Sequence, residues 1–579
     1  MSDSERRVDD VRRERSQLEN HLIDEYSAGR INRREFVRRG TTIGMAIPLV
    51  AWLAAACGGS GGEEAGGGAA TTAADTGAAA TTEAATTAEA APVGGGPIRC
   101  GTQVPATGLD PVTVADAGGL CMNGQTGEYL SLSLGEPELT PVIAESWEPN
   151  ADATVWTFKI RQGVTFNDEA ATPMTSADVA ATFNRLADPA NKSNALSVFQ
   201  GIFSAGGATA TDESTVTFEL EAPNGSWPWL VSSDNYNAII VPESYAGDWE
   251  QTWIGTGPWK LESYTPQVGA ALVRNDNYWG PKALPDRVDI TFYEGDEPQV
   301  LALQAGEIDA VDGFAVATGR PIINDEANFN LINIRAATHR QLSMRTDQEP
   351  FTDKRVRQAI ALTIDRQAII DGLFEGFADL GNDSPFAPVY AATNTSVPQR
   401  TKDIEQAKQL LADAGMANGF KVQLNSINVG EVPQYAQLVQ SGAKEIGIDI
   451  ELVIQDPSTY YGDAVFGNSP WLDSTMSLVD YGHRGVPNVL LGAPLLSDGV
   501  WNAAHFKNPQ YDQLVADFFQ EADLEAQRTL AGQIQELLLD ETPIIFAYFY
   551  NSLAASLKNV QGVVISATGH LWVDQATVA

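Results

Sequence analysis

Four histidines fall in the body of this sequence, His339, His483, His505 and His570. No two stand at a metal-ligand spacing such as H-x-x-x-H, and no HExxH occurs. A dedicated zinc or nickel site is therefore not expected, although a nickel complex held through one histidine stays open. Gly58-Gly59-Ser60-Gly61-Gly62 matches the G-x-S-x-G pattern of serine hydrolases. A nucleophile elbow needs a strand before it and a helix after it, and neither pattern is there. No triad, paired catalytic carboxylates or metal motif stands out elsewhere, so a secreted hydrolase is a remote alternative and no cofactor is expected. Cys100 and Cys121 allow two readings: a disulfide outside the cytoplasm, or two buried thiols.

The elements that would position any such chemistry alternate between two periods. Trp156, Phe158 and Ile160 alternate with polar residues, as do Val216, Phe218 and Leu220, then Phe420, Val422 and Leu424, then Ile448, Ile450, Leu452 and Ile454. Each run has the period of a half-buried strand. Thr175-Ser176-Ala177-Asp178 reads as a helix start with Val179, Phe183 and Leu186 on one face. Ile404, Ala407 and Leu411 form a second stripe, closed by Gly415 at a C-cap position, and Leu530, Ile534, Leu537 and Leu538 form a third. Strands and helices mixed in this way imply α/β lobes, and 579 residues are too many for one core.

Before the body come an address and a tether. Residues 1–56 carry Asn32-Arg33-Arg34-Glu35-Phe36-Val37-Arg38, an apolar run from Thr41, and Ala54-Ala55-Ala56 before Cys57. A basic region, a short apolar region and small residues describe an export signal. The motif resembles a twin-arginine signal, and Cys57 resembles a lipobox cysteine, although Ala54 stands where lipoboxes usually carry Leu. Residues 57–97 are Gly, Ala, Thr and Glu with almost nothing large, too little apolar area to offset chain entropy, so an anchored, disordered linker is expected. The net charge of −39 argues against nucleic acid and against adsorption to anionic lipid. No stretch of about 20 apolar residues is free of breakers, which excludes a polytopic membrane protein.

The body contains Leu109-Asp110-Pro111, Pro141 to Trp147, Phe158 to Phe166, Ser176 to Val179, Gly255 to Trp259, Asn277-Tyr278-Trp279, Leu303 to Asp309, Val356 to Ala359 with Asp365-Arg366, Ala407 to Gly415, and Ile446-Gly447-Ile448. In this order these segments together resemble the family 5 extracellular solute-binding proteins, the peptide, nickel and opine receptors of ABC importers. Most of these residues have structural explanations. Gly255 and Gly257 suit turns with positive φ, and Trp147 and Trp156 suit the core.

The resemblance implies an α/β, two-lobed periplasmic-binding-protein-like fold (type II, of the large oligopeptide-receptor kind) with an extra subdomain on lobe I. Lobe I would be 98–341, lobe II 342–546, and 547–579 the return to lobe I, with crossovers near Gln341–Arg345 and Ile544–Tyr548. Ligand would sit between the lobes, and its binding would shift an open–closed equilibrium. In peptide-binding members an Asp of an Asp-Tyr step on the matching segment pairs with the ligand's α-ammonium. Here that is Asp480, in Ser477-Leu478-Val479-Asp480-Tyr481-Gly482-His483-Arg484. A buried ammonium needs a charge partner. Arg484 suits a ligand carboxylate or a clamp on Asp480. The usual acid-Pro pair downstream is absent, which weakens the match to unmodified peptides. Trp471, Trp501 and Tyr481 are candidate apolar walls of the same stretch, with Tyr129 facing them from lobe I. The expected function is a monomeric, lipid-anchored receptor on the outer side of the cytoplasmic membrane. It would deliver peptides to ABC permease and ATPase subunits. Oligosaccharides, opines or nickel complexes are the alternative ligands.

Overall fold

The computed structural model describes residues 95–106, 108–134 and 138–579. The export signal, Cys57 and nearly all of the linker lie outside the described residues.

Two long strands, Phe329–Met344 and Ile544–Leu557, form the spine of the molecule. They run antiparallel and side by side. Phe329 to Ile334 pair with Leu557 to Ser552, the register shifts, and pairing resumes from Thr338↔Tyr550 to Ser343↔Ile544. Each strand then serves a different neighbourhood at its two ends. His339 to Met344 also pair with Tyr481 to Met476, while Ala555 and Ser556 pair with Val311 and Ala310. The sheet therefore continues on one side through Met476–Tyr481, Lys421–Ile427 and Asp449–Gln455. On the other it continues through Ala310–Val311, Pro97–Gln103, Arg287–Tyr293, Gly269–Arg274 and Trp259–Thr265. The fold is two-lobed and mixed α/β, and the two long strands shift register between Ile334 and Thr338 and again between His339 and Gln341.

The alternating runs form the strands they imply. Val155–Ile160 and Thr215–Glu219 pair antiparallel in a separate four-stranded sheet with Ala144–Pro149 and Ala208–Asp212. Phe158, Val216 and Phe218 are buried beneath the helix Ser176–Ala187. That helix starts in a capping box: Thr175 and Asp178 each satisfy the other's backbone N–H. This small sheet and its helix form the subdomain attached to lobe I. In lobe II, Ile404–Asp413 buries Ala407 and Leu411, and Gly415 follows with φ +78°.

One open reading is decided here and one expectation is corrected. Cys100 and Cys121 are both fully buried and unbridged, packed between the first strand and the helix Ala117–Thr126. Burial raises both thiols above their ordinary pKa, which keeps them as apolar core groups. Gly255 and Gly257 have no left-handed backbone. They are needed because their backbone meets that of Thr126: a Cβ on Gly255 would lie 2.1 Å from the Thr126 carbonyl oxygen.

Candidate functional site

The two halves meet along a seam between the subdomain of lobe I and the loops and helices after Tyr481. Gly225 donates its N–H to the Phe519 carbonyl at 3.0 Å. Further along, Asp234 of lobe I reaches lobe II, where its Oδ1 lies 3.4 Å from His483 Nε2. The His483 Nδ1 accepts the Ala337 N–H at 3.0 Å, which places the ring proton on Nε2, facing Asp234. Gly485 makes the approach possible, since a Cβ there would sit 1.6 Å from Asp234 Oδ2.

Hydrogen-bonding capacity along this seam is unspent. The Asp234 side chain is only 8% exposed, yet its Oδ2 has no partner. Asn488 is 4% exposed, and both its Oδ1 and Nδ2 are unpartnered. The Arg484 Nη1 donates to the His483 carbonyl at 2.8 Å, and no carboxylate among the described residues forms an ion pair with Arg484. Polar groups left in this state in a buried place cost about 1–3 kcal/mol each.

The structure divides the residues singled out in the sequence between two faces of the Met476–Tyr481 strand. Asp480 stands opposite Arg340 in register. Its Oδ1 accepts a hydrogen bond from the Tyr461 hydroxyl, and its Oδ2 has no hydrogen-bond partner among the described residues. Arg340 is already engaged: Nε lies 2.9 Å from Glu431 Oε1, Nη2 donates to Oε2 at 3.0 Å, and the guanidinium sits 4.9 Å above the Tyr550 ring. Asp480 is half-buried. Burial, reinforced by the Asp480 charge, raises the Tyr461 hydroxyl pKa, so it remains a donor.

Tyr481 points to the other face, as strand alternation requires. Its ring stacks on His339 at 5.6 Å and lies 6.2 Å from Trp501. Both Tyr481 and Trp501 are half-buried. Burial lowers His339 to about 3, so it stays neutral; Nδ1 is bonded to the Ala337 carbonyl and Nε2 to Gln341.

Two wall candidates belong to the core instead. Tyr129 has no exposed surface, and its hydroxyl bonds His570 Nε2 at 2.7 Å inside lobe I. Trp471 is 4% exposed and meets Tyr461 edge-on at 5.9 Å, so it offers no open platform. Sequence reasoning missed Asp234, Asn488 and Gly225. The only signal at Asp234 is the polar run Ser232 to Asn235 among apolar neighbours. Among the described residues no three His, Cys, Asp or Glu side chains cluster as a metal site would require, and no helix is long and apolar enough to cross a membrane.

Residues 138–481 match the model of the bacterial extracellular solute-binding proteins, family 5. The chain belongs to that family. Family 5 proteins are the extracytoplasmic, non-enzymatic, ligand-binding components of ABC transporters. Among its relatives is the dipeptide-binding protein DppE of Bacillus subtilis, 26% identical over 482 residues, spanning 76% of this chain and 84% of the relative. The glutathione-binding protein GsiB of Escherichia coli K12 is 25% identical over 440 residues, spanning 74% and 84%. The periplasmic binding protein DppA of Helicobacter pylori, solved with the peptide STSA, shares the fold. Its TM-score is 0.66 at 23% identity, with 84% of this chain and 98% of that one aligned. This family 5 protein thus has a binding fold in which Asp234, His483 and Asn488 carry unpartnered polar atoms where the two lobes meet.

Proposed function

We propose that this family 5 protein captures short peptides between its lobes and presents them to the permease and ATPase subunits of an ABC importer. The observation that carries the reading is the seam itself. Asp234 comes from one lobe, and Arg484 and Asn488 from the other. All three carry polar groups short of partners, which supports a small zwitterionic, amide-bearing solute between the lobes. The peptide and glutathione names of its relatives support the same ligand class. Asp480, whose Oδ1 accepts from the Tyr461 hydroxyl, is the partner of the ligand's α-ammonium, and the buried edge-on Trp471 weighs against sugar platforms. Lobe I then comprises 98–334 and 551–579, and lobe II the intervening chain. The twin-arginine signal exports the protein, and a lipid on Cys57 holds the monomer at the outer face of the cytoplasmic membrane.

The test is native mass spectrometry of ligand carried through purification, followed by calorimetry with trialanine and N-acetyl-trialanine. Asp480→Ala is expected to weaken trialanine at least tenfold and the acetylated peptide by much less. Equal losses for the two would remove Asp480 from the ammonium site. Binding of an oligosaccharide with no response to any peptide would overturn the peptide reading.

A further inference from the structure

Arg340 and Asp480 face each other across two paired strands, yet they do not bond. They are direct partners in the antiparallel register of Phe329–Met344 and Met476–Tyr481. Side chains so placed leave the sheet on one face with Cβ atoms about 4.5–5.5 Å apart, and opposite charges there attract each other. Among the described residues no ion pair joins the two. Asp480 Oδ1 accepts from the Tyr461 hydroxyl instead, and Arg340 turns to Glu431.

Glu431 holds the guanidinium at two points. Its Oε1 lies 2.9 Å from Nε, and its Oε2 accepts from Nη2 at 3.0 Å. This two-pronged contact fixes the plane of an arginine as well as its charge. The remaining nitrogen, Nη1, donates to the His339 carbonyl at 3.4 Å. Glu431 is fixed in turn, because its Oε1 also accepts from the Tyr548 hydroxyl at 3.0 Å. Gly430, with φ +51°, makes the turn that delivers Glu431 from the strand Lys421–Ile427 to the head of the helix Val432–Lys444. At that position the Glu431 side chain makes no cap bond to its own helix. The Arg340 and Glu431 side chains are 5% and 19% exposed, so these charges act on each other with little screening by water. Arg340 and Glu431 cancel, and the charge left in the cluster is that of Asp480.

We propose that Glu431 is a positioning residue that sets the preference of this site for a cationic ligand group: by holding Arg340, it keeps the guanidinium off Asp480. The inference rests on the peptide reading above, in which Asp480 takes the ligand's α-ammonium, and it adds what keeps Asp480 available. Without the Glu431 charge, the guanidinium moves across the register to Asp480 and takes the place of the ammonium. The free amino terminus of a ligand then meets a carboxylate that is already paired, and its own desolvation goes uncompensated.

Calorimetry with trialanine tests this. Glu431→Gln keeps the shape of the side chain and removes its charge, and should weaken trialanine at least tenfold. Glu431→Asp keeps the charge and should lose less than about threefold. Glu431→Gln combined with Arg340→Met removes both members of the ion pair, leaves neither charge buried alone, and should return the affinity to within about threefold of the unmodified protein. A Glu431 that merely supported the fold would not be rescued in this way, since losing a second buried contact would add to the damage. If Glu431→Gln alone does not fold, the aspartate and double variants still decide the matter, since both are expected to bind. A double variant as weak as Asp480→Ala, or a Glu431→Gln that binds as tightly as the unmodified protein, overturns the positioning role and leaves peptide capture standing. If the unmodified protein does not bind trialanine, or Asp480→Ala binds it equally well, the α-ammonium reading falls and the role of Glu431 falls with it.

Discussion

Gly225 is a point where the meeting of the two lobes can be disturbed. Its N–H bonds the Phe519 carbonyl, and a Cβ added there would lie 2.0 Å from the Glu521 carbonyl oxygen and 2.8 Å from the Ala522 Cα. Close carbon–oxygen contacts settle at about 3.3–3.6 Å, so Gly225→Ala forces the two backbones roughly 1.3 Å apart. Overpacking of this kind costs about 1–3 kcal/mol, and the stretched hydrogen bond about 0.5–1.5 more. The backbone at Gly225 is not left-handed, so alanine fits wherever the seam is open. The whole cost therefore falls on the closed form. At about 1.4 kcal/mol per tenfold, affinity should drop roughly ten- to a thousandfold. Ligand-free stability should hold or rise slightly, because alanine restricts the unfolded chain. Calorimetry with trialanine, paired with small-angle scattering of free and loaded protein, reads both effects. Unchanged affinity together with an unchanged ligand-induced compaction would refute the argument that this contact belongs to closure.

Other expectations concern stability. Asp383 has no exposed side-chain surface and bridges Arg366 at 2.6 Å and Arg400 at 2.5 Å, so Asp383→Ala should cost about 3–5 kcal/mol by leaving buried guanidinium groups uncompensated; a urea midpoint that does not move would contradict this. Glu128 is buried against the Tyr278 hydroxyl and the Trp279 Nε1, both at 2.7 Å, and burial raises its pKa to about 7. The folded chain therefore keeps a proton that the unfolded chain releases near its ordinary value of 4.5, and stability falls as pH rises between those two values. The melting temperature of Glu128→Gln, relative to the unmodified protein, should climb from pH 4.5 to about 7 and then level off; a difference that stays flat across that window would show that Glu128 ionises freely.

Local signals carried most of the fold. The Thr175–Asp178 box, the alternation at Trp156 to Ile160 and the Gly415 cap each act within a few residues, so the sequence displays them directly. The site was less legible because its parts are joined only in space. Gly225 meets Glu521, Asp234 meets Gly485, and Tyr129 bonds a histidine 441 residues away. No period or spacing records such meetings. Tyr129 reads as a wall and Gly255 as a turn for the same reason: composition shows that an aromatic or a glycine is needed, and only the partner across the fold shows why.

The two long strands also set the order in which the molecule can be finished. Ala310–Val311 completes its pairing only with Ser556 and Ala555. Leu571, Val573 and Ala576 fill the same core as Ile98 and Cys100. A chain still on the ribosome, or cut some thirty residues short, leaves its N-terminal lobe without its last strand and with an open core. The N-terminal lobe of this protein is therefore completed only when its C-terminal residues arrive.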